Sequence, residues 1–257
     1  MRLSYRDQGQ GPATVFLHAF PLDQTMWDEQ AASLIKERRV VTFDWPGFGQ
    51  SPTTAPDPET TGLDGMVAEV IELLDHLGLD QVDLCGLSMG GYAALALYRS
   101  YPDRVRSLIL CDTKATADPP ATRQARQEMA ELAVREGSAA LIPLMLPRLL
   151  GASTLRRPAD PLPERIAEMI RRSTPQGVVR ALHAMATRTA TMDLLGSIRV
   201  PTLVVVGEED ILSTPAEMRE MAAAIPQATL QVIEDAGHLP NLEQPTVFLQ
   251  ALRSGLP

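Results

Sequence analysis

Six short apolar runs, separated by stretches of helical pattern, constrain the fold more than any other feature of this sequence. They are Val15-Phe16-Leu17, Val40-Val41-Thr42-Phe43, Val82-Asp83-Leu84-Cys85, Leu108-Ile109-Leu110-Cys111, Thr202-Leu203-Val204-Val205-Val206 and Leu230-Gln231-Val232-Ile233. Runs this short and this continuously apolar suit strands of a parallel sheet covered on both faces. From Gly62 to Leu77 the residues Leu63, Met66, Val67, Val70, Leu73, Leu74 and Leu77 recur at helical spacing, and Gly78 is placed to stop the helix. Tyr92 to Tyr101, ended by Pro102, and Glu217 to Ala224 read as two further helices. Strand and helix in alternation predict an α/β chain with a doubly wound, mostly parallel sheet.

The alternation breaks between Lys114 and Ile198. The pattern there is helical throughout, and prolines at 119, 120, 143, 147, 158, 161, 163 and 175 cut it into short pieces. The expected organisation is therefore a core of residues 1–113 and 198–257, with 114–197 inserted as a helical cap, or lid, over the strand ends. A separate helical domain is the poorer reading, because the sheet pattern resumes directly at Val200.

At 257 residues such a chain buries enough surface to need neither disulfides nor a metal to hold it. The formal net charge of −9 argues against nucleic acid or an anionic membrane as partner, since both demand a basic surface. No apolar run approaches the roughly 20 residues that span a bilayer, and Met1 to Asp7 lacks the apolar centre of a signal peptide. Cys85 and Cys111 sit inside apolar runs and read as buried, reduced thiols of a cytoplasmic protein. Oligomeric state leaves no trace in the sequence.

The chemistry is carried by Gly86-Leu87-Ser88-Met89-Gly90-Gly91, which follows one predicted strand and precedes a predicted helix. Glycines two before and two after a serine suit a turn so tight that any side chain there would strike the elements being joined. Such a turn raises the Ser88 hydroxyl above the sheet, at a helix N-terminus that favours developing negative charge. A serine hydroxyl needs a base to act as nucleophile. Of His18, His76, His183 and His238, only His238 lies on a loop after the last strand, at the edge where a parallel sheet gathers its strand ends. His76 reads as a surface residue, His183 as a cap position that either touches substrate or simply lies on a helix, and His18 as a structural histidine. Asp210, just past the strand ending at Val206, is the expected acid behind His238; Asp112, past the strand ending at Cys111, is its rival. Glu208, Glu209, Glu234 and Asp235 read as solvated loop charges. An oxyanion needs two backbone donors, expected from Met89 and from Phe20, with Ala19 as the alternative to Phe20.

Four ordered stretches then resemble the motifs of the α/β-hydrolase superfamily. His18-Ala19-Phe20-Pro21-Leu22-Asp23, followed by Met26-Trp27, is similar to its His-Gly-x-Pro oxyanion loop. Asp44-Trp45-Pro46-Gly47-Phe48-Gly49-Gln50-Ser51 resembles its Asp-x-Pro-Gly-x-Gly-x-Ser turn, Gly86 to Gly90 its nucleophile elbow, and Gly237-His238 its histidine loop. The resemblance runs along nearly the whole chain and implies the α/β-hydrolase fold. Within the superfamily, Phe20 to Trp27 and Leu87 to Tyr92 look most like bacterial 3-oxoadipate enol-lactonases and related small carboxylesterases. Ala19 departs from the family, which usually has glycine there.

The expectation is a serine hydrolase that cleaves a small carboxylic ester or lactone through an acyl-enzyme on Ser88. Its rivals are a cofactor-free perhydrolase of haloperoxidase type and a ligand sensor that turns over little; Ser88 in place of aspartate sets a haloalkane dehalogenase aside. No metal is expected, because no histidine or cysteine cluster has ligand spacing, and no nucleotide cofactor, because neither phosphate-binding glycine motif is present. Residues 115–197 hold eleven arginines against eight acids. Arg123, Arg126, Arg148, Arg156 and Arg157 thus read either as solvated helix faces, the plainer view, or as contacts for an anionic substrate such as an oxoadipate lactone.

Overall fold

The strand order of the sheet decides where this molecule can bind anything. A computed structural model describes residues 3–53 and 62–257; Met1 and Arg2, within the N-terminal segment read above, lie outside it. Seven strands form one sheet: β1 (Tyr5–Gln8), β2 (Ala13–Leu17), β3 (Arg39–Phe43), β4 (Val82–Leu87), β5 (Val105–Cys111), β6 (Thr202–Gly207) and β7 (Ala228–Ile233). Their spatial order is β1-β3-β2-β4-β5-β6-β7, with β1 antiparallel to β3 and every other pairing parallel. After β2 the chain steps to one side for β3 and then crosses to the other for β4. The strand ends of β2 and β4 thus flank a topological switch point, where an open sheet leaves a crevice.

The six apolar runs all lie within strands. β2 and β4 are buried along their whole length, as sheet strands covered on both faces must be. Two boundaries differ from the pattern in an informative way. β4 continues through Gly86-Leu87, paired with Leu17 and Cys111, and the following helix begins at Met89 rather than near Tyr92. Strand and helix are thus separated by Ser88 alone. β1 carries no apolar run because it is an edge strand with three exposed residues of four.

Six helices pack around this sheet: α1 (Asp28–Leu34), α2 (Leu63–His76) and α3 (Met89–Ser100) before β5, and later α10 (Pro215–Ala224), α11 (Pro240–Glu243) and α12 (Pro245–Gly255). Between β5 and β6 the described residues hold six α-helices, a short 3-10 turn (Ser138–Leu141) and no strand: α4 (Pro120–Glu136), α5 (Ile142–Leu149), α6 (Ala152–Leu155), α7 (Leu162–Arg171), α8 (Pro175–Thr187) and α9 (Met192–Leu195). Pro120, Pro143, Pro163 and Pro175 each stand in a helix's first turn, where the missing N–H is no loss. Among the described residues no helix is long and apolar enough to cross a membrane.

Aromatic packing fastens the last helix to the first loop. Phe248 of α12 is fully buried with its ring 6.1 Å from that of Trp27, which in turn lies 4.9 Å from Phe16 of β2. Phe248→Ala should lower unfolding stability by about 3–5 kcal/mol, through lost burial and the cavity left behind. Urea unfolding monitored by tryptophan fluorescence would measure it; a loss below about 1 kcal/mol would mean that α12 contributes little to the core.

Candidate active site

The parallel ladder brings the ends of β2, β4, β5, β6 and β7 to one edge, and the expected site residues stand on the loops that leave it. Ser88 sits between β4 and α3 at φ 54°, ψ −111°, a region that L-residues avoid and occupy only when the surroundings over-determine it. The surroundings do. Ser88 N–H donates to Cys111 O at 2.9 Å, while Ser88 O accepts from Gly91 N at 2.9 Å, Tyr92 N at 3.1 Å and Thr113 Oγ1 at 2.8 Å. The flanking glycines are steric necessities: a Cβ on Gly86 would lie 2.3 Å from Gly90 O, and one on Gly90 would lie 2.2 Å from Leu17 O.

His238 is 2% exposed, and its Nδ1 donates to Asp210 Oδ2 at 2.8 Å. Asp210 Oδ1 accepts from Leu212 N at 2.7 Å, so both its oxygens have a donor. Asp112, the rival acid, is fully buried and directs Oδ1 to Gly207 N at 2.9 Å; of the two aspartates, Asp210 is the one bonded to His238. Asp112, Asp210 and His238 each offer one ligand atom within 4.8 Å of the others. Two carboxylates and an imidazole suit a divalent cation in type. Here, however, Asp210 Oδ2 and His238 Nδ1 are bonded to each other.

The loop after β2 supplies a backbone donor. Ala19 N–H is engaged by Met26 Sδ at 3.3 Å, whereas Phe20 N–H has no acceptor among the described residues. Met89 opens α3, and its N–H is one of those a helix N-terminus leaves without an intrahelical acceptor. His18 is fully buried: Nδ1 donates to Ala19 O at 2.9 Å and Nε2 accepts from Trp45 N at 3.0 Å. Burial pushes its imidazole below the usual range, in keeping with a neutral ring whose Nε2 is an acceptor. Asp44 accepts from Gln24 N at 2.7 Å, Gln24 Nε2 at 2.9 Å and Gln50 N at 2.9 Å, tying this loop to the turn after β3.

Ser88, His238 and Phe20 line one cavity of about 690 Å³, roofed by α4, α5 and α8. Apolar walls come from Met129, Met145, Leu149 and Met185. Of the arginines singled out in the sequence, Arg126 and Arg148 reach this cavity; Arg123, Arg156 and Arg157 do not line it, nor does the exposed His183. Arg126 and Arg188 both pair with Asp118, and Lys114 pairs with Glu217 at 2.7 Å. Burial alone would raise the Asp118 carboxyl, but the hydrogen bonds and charges of Arg126 and Arg188 outweigh it and hold the group below the usual range. Arg188 Cζ also lies 4.0 Å above the Tyr92 ring. Arg148 is exposed, and among the described residues its guanidinium has no partner.

Two acidic residues do more than their sequence positions suggested. Glu209, expected as a solvated loop charge, is half-buried and accepts from Ser153 N at 2.8 Å and Ser153 Oγ at 2.6 Å. Glu243 was not singled out. It is 4% exposed and accepts from Gly151 N and Gly237 N, both at 2.8 Å, and from Leu239 N at 3.3 Å. With His238 N–H donating to Leu149 O at 3.1 Å, these contacts join the histidine loop to the α5–α6 junction. A glutamate in a short, otherwise uncharged stretch was the one local signal, and its partner Gly151 lies 92 residues away.

A family model described as alpha/beta hydrolase fold matches residues 12–245. The 3-oxoadipate enol-lactonase 1 of Acinetobacter baylyi is 32% identical over 239 residues, covering 93% of this chain and 86% of its own. Among solved structures, a thermophilic esterase from Thermogutta terrifontis is similar at 43% identity and TM-score 0.93, over 98% of this chain and 92% of that one. The enol-lactonase from Burkholderia xenovorans is similar at 30% identity and TM-score 0.87, over 98% and 95% respectively.

Glu243→Ala would strand three buried N–H groups on the histidine loop and its neighbour. Stability should fall by about 3 kcal/mol, read as a lowered midpoint in thermal or urea unfolding. An unchanged midpoint would mean that water or a shifted backbone replaces the carboxylate.

Proposed function

The chain belongs to the alpha/beta hydrolase family, and on that premise we propose that it is a serine hydrolase of small carboxylic esters or lactones. The observation that carries this reading is the 2.8 Å bond from His238 Nδ1 to Asp210, made by a histidine that shares one cavity with Ser88. Asp210 fixes the imidazole tautomer, so Nε2 is the nitrogen that takes the Ser88 proton as Oγ attacks the carbonyl carbon. The oxyanion that forms is received by the N–H groups of Phe20 and Met89, which need no reorganisation to meet it. His238 then returns the proton to the leaving oxygen. In the second half it takes a proton from water as the water oxygen attacks the acyl carbon, then passes that proton to Ser88 Oγ as the acyl bond to the serine breaks.

The substrate class follows from the cavity and the relatives. A pocket of about 690 Å³ suits a small molecule rather than a polymer, and similar proteins are named as enol-lactonases and esterases. Residues 114–197 act in this reading as a cap that shapes the acyl site, on a core of 1–113 and 198–257. We further propose a substrate that carries a carboxylate. Lys114 pairs with Glu217, and Arg126 and Arg188 share Asp118, so this cluster keeps one positive charge in excess, and Arg148 is the cavity cation without a protein partner among the described residues. The similar Thermogutta terrifontis esterase was solved with malate bound, itself a dicarboxylate.

Ser88→Ala should reduce kcat/KM for p-nitrophenyl acetate by at least about 10³-fold with folding unchanged. Equal rates for wild type and mutant would sink the acyl-enzyme mechanism. Peracid formation from acetate and peroxide, outrunning ester hydrolysis, would instead point to a perhydrolase. Arg148→Gln should raise KM about tenfold for a hemi-ester or lactone bearing a carboxylate and leave that of a neutral ester of the same size in place. Equal effects on both would end the anionic-substrate proposal.

A further inference from the structure

Behind the Asp210–His238 pair lies a second carboxyl group that the mechanism does not use. Asp112 directly follows β5 in a left-handed backbone conformation, φ 44°, and is fully buried. Its N–H donates to Val205 O at 2.9 Å, its carbonyl accepts from Ser213 Oγ at 3.1 Å and its Oδ1 accepts from Gly207 N at 2.9 Å. Every polar atom of the residue is thus placed except Oδ2, which is buried and has no donor. Across from it stands Asp210, whose oxygens already take the Leu212 N–H and the His238 Nδ1–H. One ligand atom from each of Asp112, Asp210 and His238 falls within 4.8 Å of the other two.

Two carboxylates this close and this buried repel strongly in a low-dielectric surrounding, and the relief available to such a pair is a proton on one of them. The charge belongs on Asp210, which has two N–H donors, one of them from the imidazole. The proton belongs on the group with one donor. We propose that Asp112 is a neutral carboxylic acid whose Oδ2–H hydrogen-bonds the Asp210 carboxylate, which makes it a positioning residue for the acid that orients His238. The proton gives the orphaned oxygen a bond and gives Asp210 a third donor. It also keeps the net charge behind the imidazole at one negative. Burial and the neighbouring Asp210 charge push the Asp112 carboxyl well above the usual carboxylate range. The thiols of Cys111 and Cys85 are also buried near it, and burial pushes that of Cys111 up, so Cys111 supplies no competing charge. The catalytic consequence rests on the serine-hydrolase reading above, whereas the protonation state does not.

Asparagine is the discriminating substitution, since its amide can accept from Gly207 N and donate to Asp210 as the acid does. Asp112→Asn should retain kcat/KM within about threefold and leave the acid limb of its pH profile in place. Asp112→Ala, lacking the donor, should lower kcat by about 10–100-fold with KM little changed. An ionised Asp112 predicts otherwise: its removal in Asp112→Asn would move the acid limb to lower pH by about one unit or more. Wild-type kcat in Asp112→Ala would remove the positioning role. An infrared difference spectrum, wild type minus Asp112→Asn at neutral pH, should contain the C=O stretch of a protonated carboxyl. That band is read without turnover, so its absence overturns the proposal even if the protein hydrolyses nothing, and its presence stands whatever the activity.

Discussion

The hydrogen bond from Ser88 N to Cys111 O, answered by Thr113 Oγ1 on Ser88 O, holds one residue in a conformation worth about 1–3 kcal/mol of strain. The other features of the site are arranged around that turn. β4 and α3 meet with a single residue between them, so their packing distance is set by Gly86 and Gly90. Gly90 in turn rests on Leu17 O, which sets how closely the β2 loop approaches Ser88. The chain leaving β5 faces two ways: Cys111 and Thr113 hold the turn on one side, and Asp112 between them reaches Val205 and Gly207 on the other. A shift in β5 would therefore move Ser88 and the loop that carries Asp210 together.

Many polar groups at this edge are buried, and most of them are matched. His18 uses both ring nitrogens, Asp44 three donors and Glu243 three more. Each bond is worth only about 1 kcal/mol net, but a stranded partner costs more than that. The loops consequently behave less like mobile connections than like extensions of the sheet. In the proposed hydrolase mechanism, such fixed donors would already point at charge before it develops.

Much of this was legible because it is local. The strands announced themselves as apolar runs, and Ser88 through a glycine pattern that only a strand–turn–helix junction requires. Asp210 and His238 followed from their places just beyond strands, since a parallel sheet sends all such loops to one edge. What escaped was either weakly patterned or remote. β1 has one half-buried residue in four and so no alternation to read. α12 buries Phe248, Ala251 and Leu252 at helical spacing, a signal present but short. Glu209 and Glu243 looked like any loop acids, because their partners Ser153 and Gly151 stand far off in sequence. The cavity arginines were a mixed case. Charge counting found an excess, but only folding reveals that Asp118 and Glu217 consume most of what reaches the cavity.

Gly151 and Gly237 press backbone to backbone: a Cβ on the first would lie 2.7 Å from Gly237 N, and one on the second 2.3 Å from Gly151 N. One glycine belongs to the inserted helical segment and the other to the loop that carries His238. Neither half can therefore drift independently over evolutionary time. A recombinant that borrowed residues 114–197 from a relative with a larger side chain at this crossing would push the imidazole away from its aspartate, however well the new segment folded. Diversification of the cavity is channelled accordingly, toward changes in α4 and α8 and away from the junction that α5 and α6 share with the His238 loop.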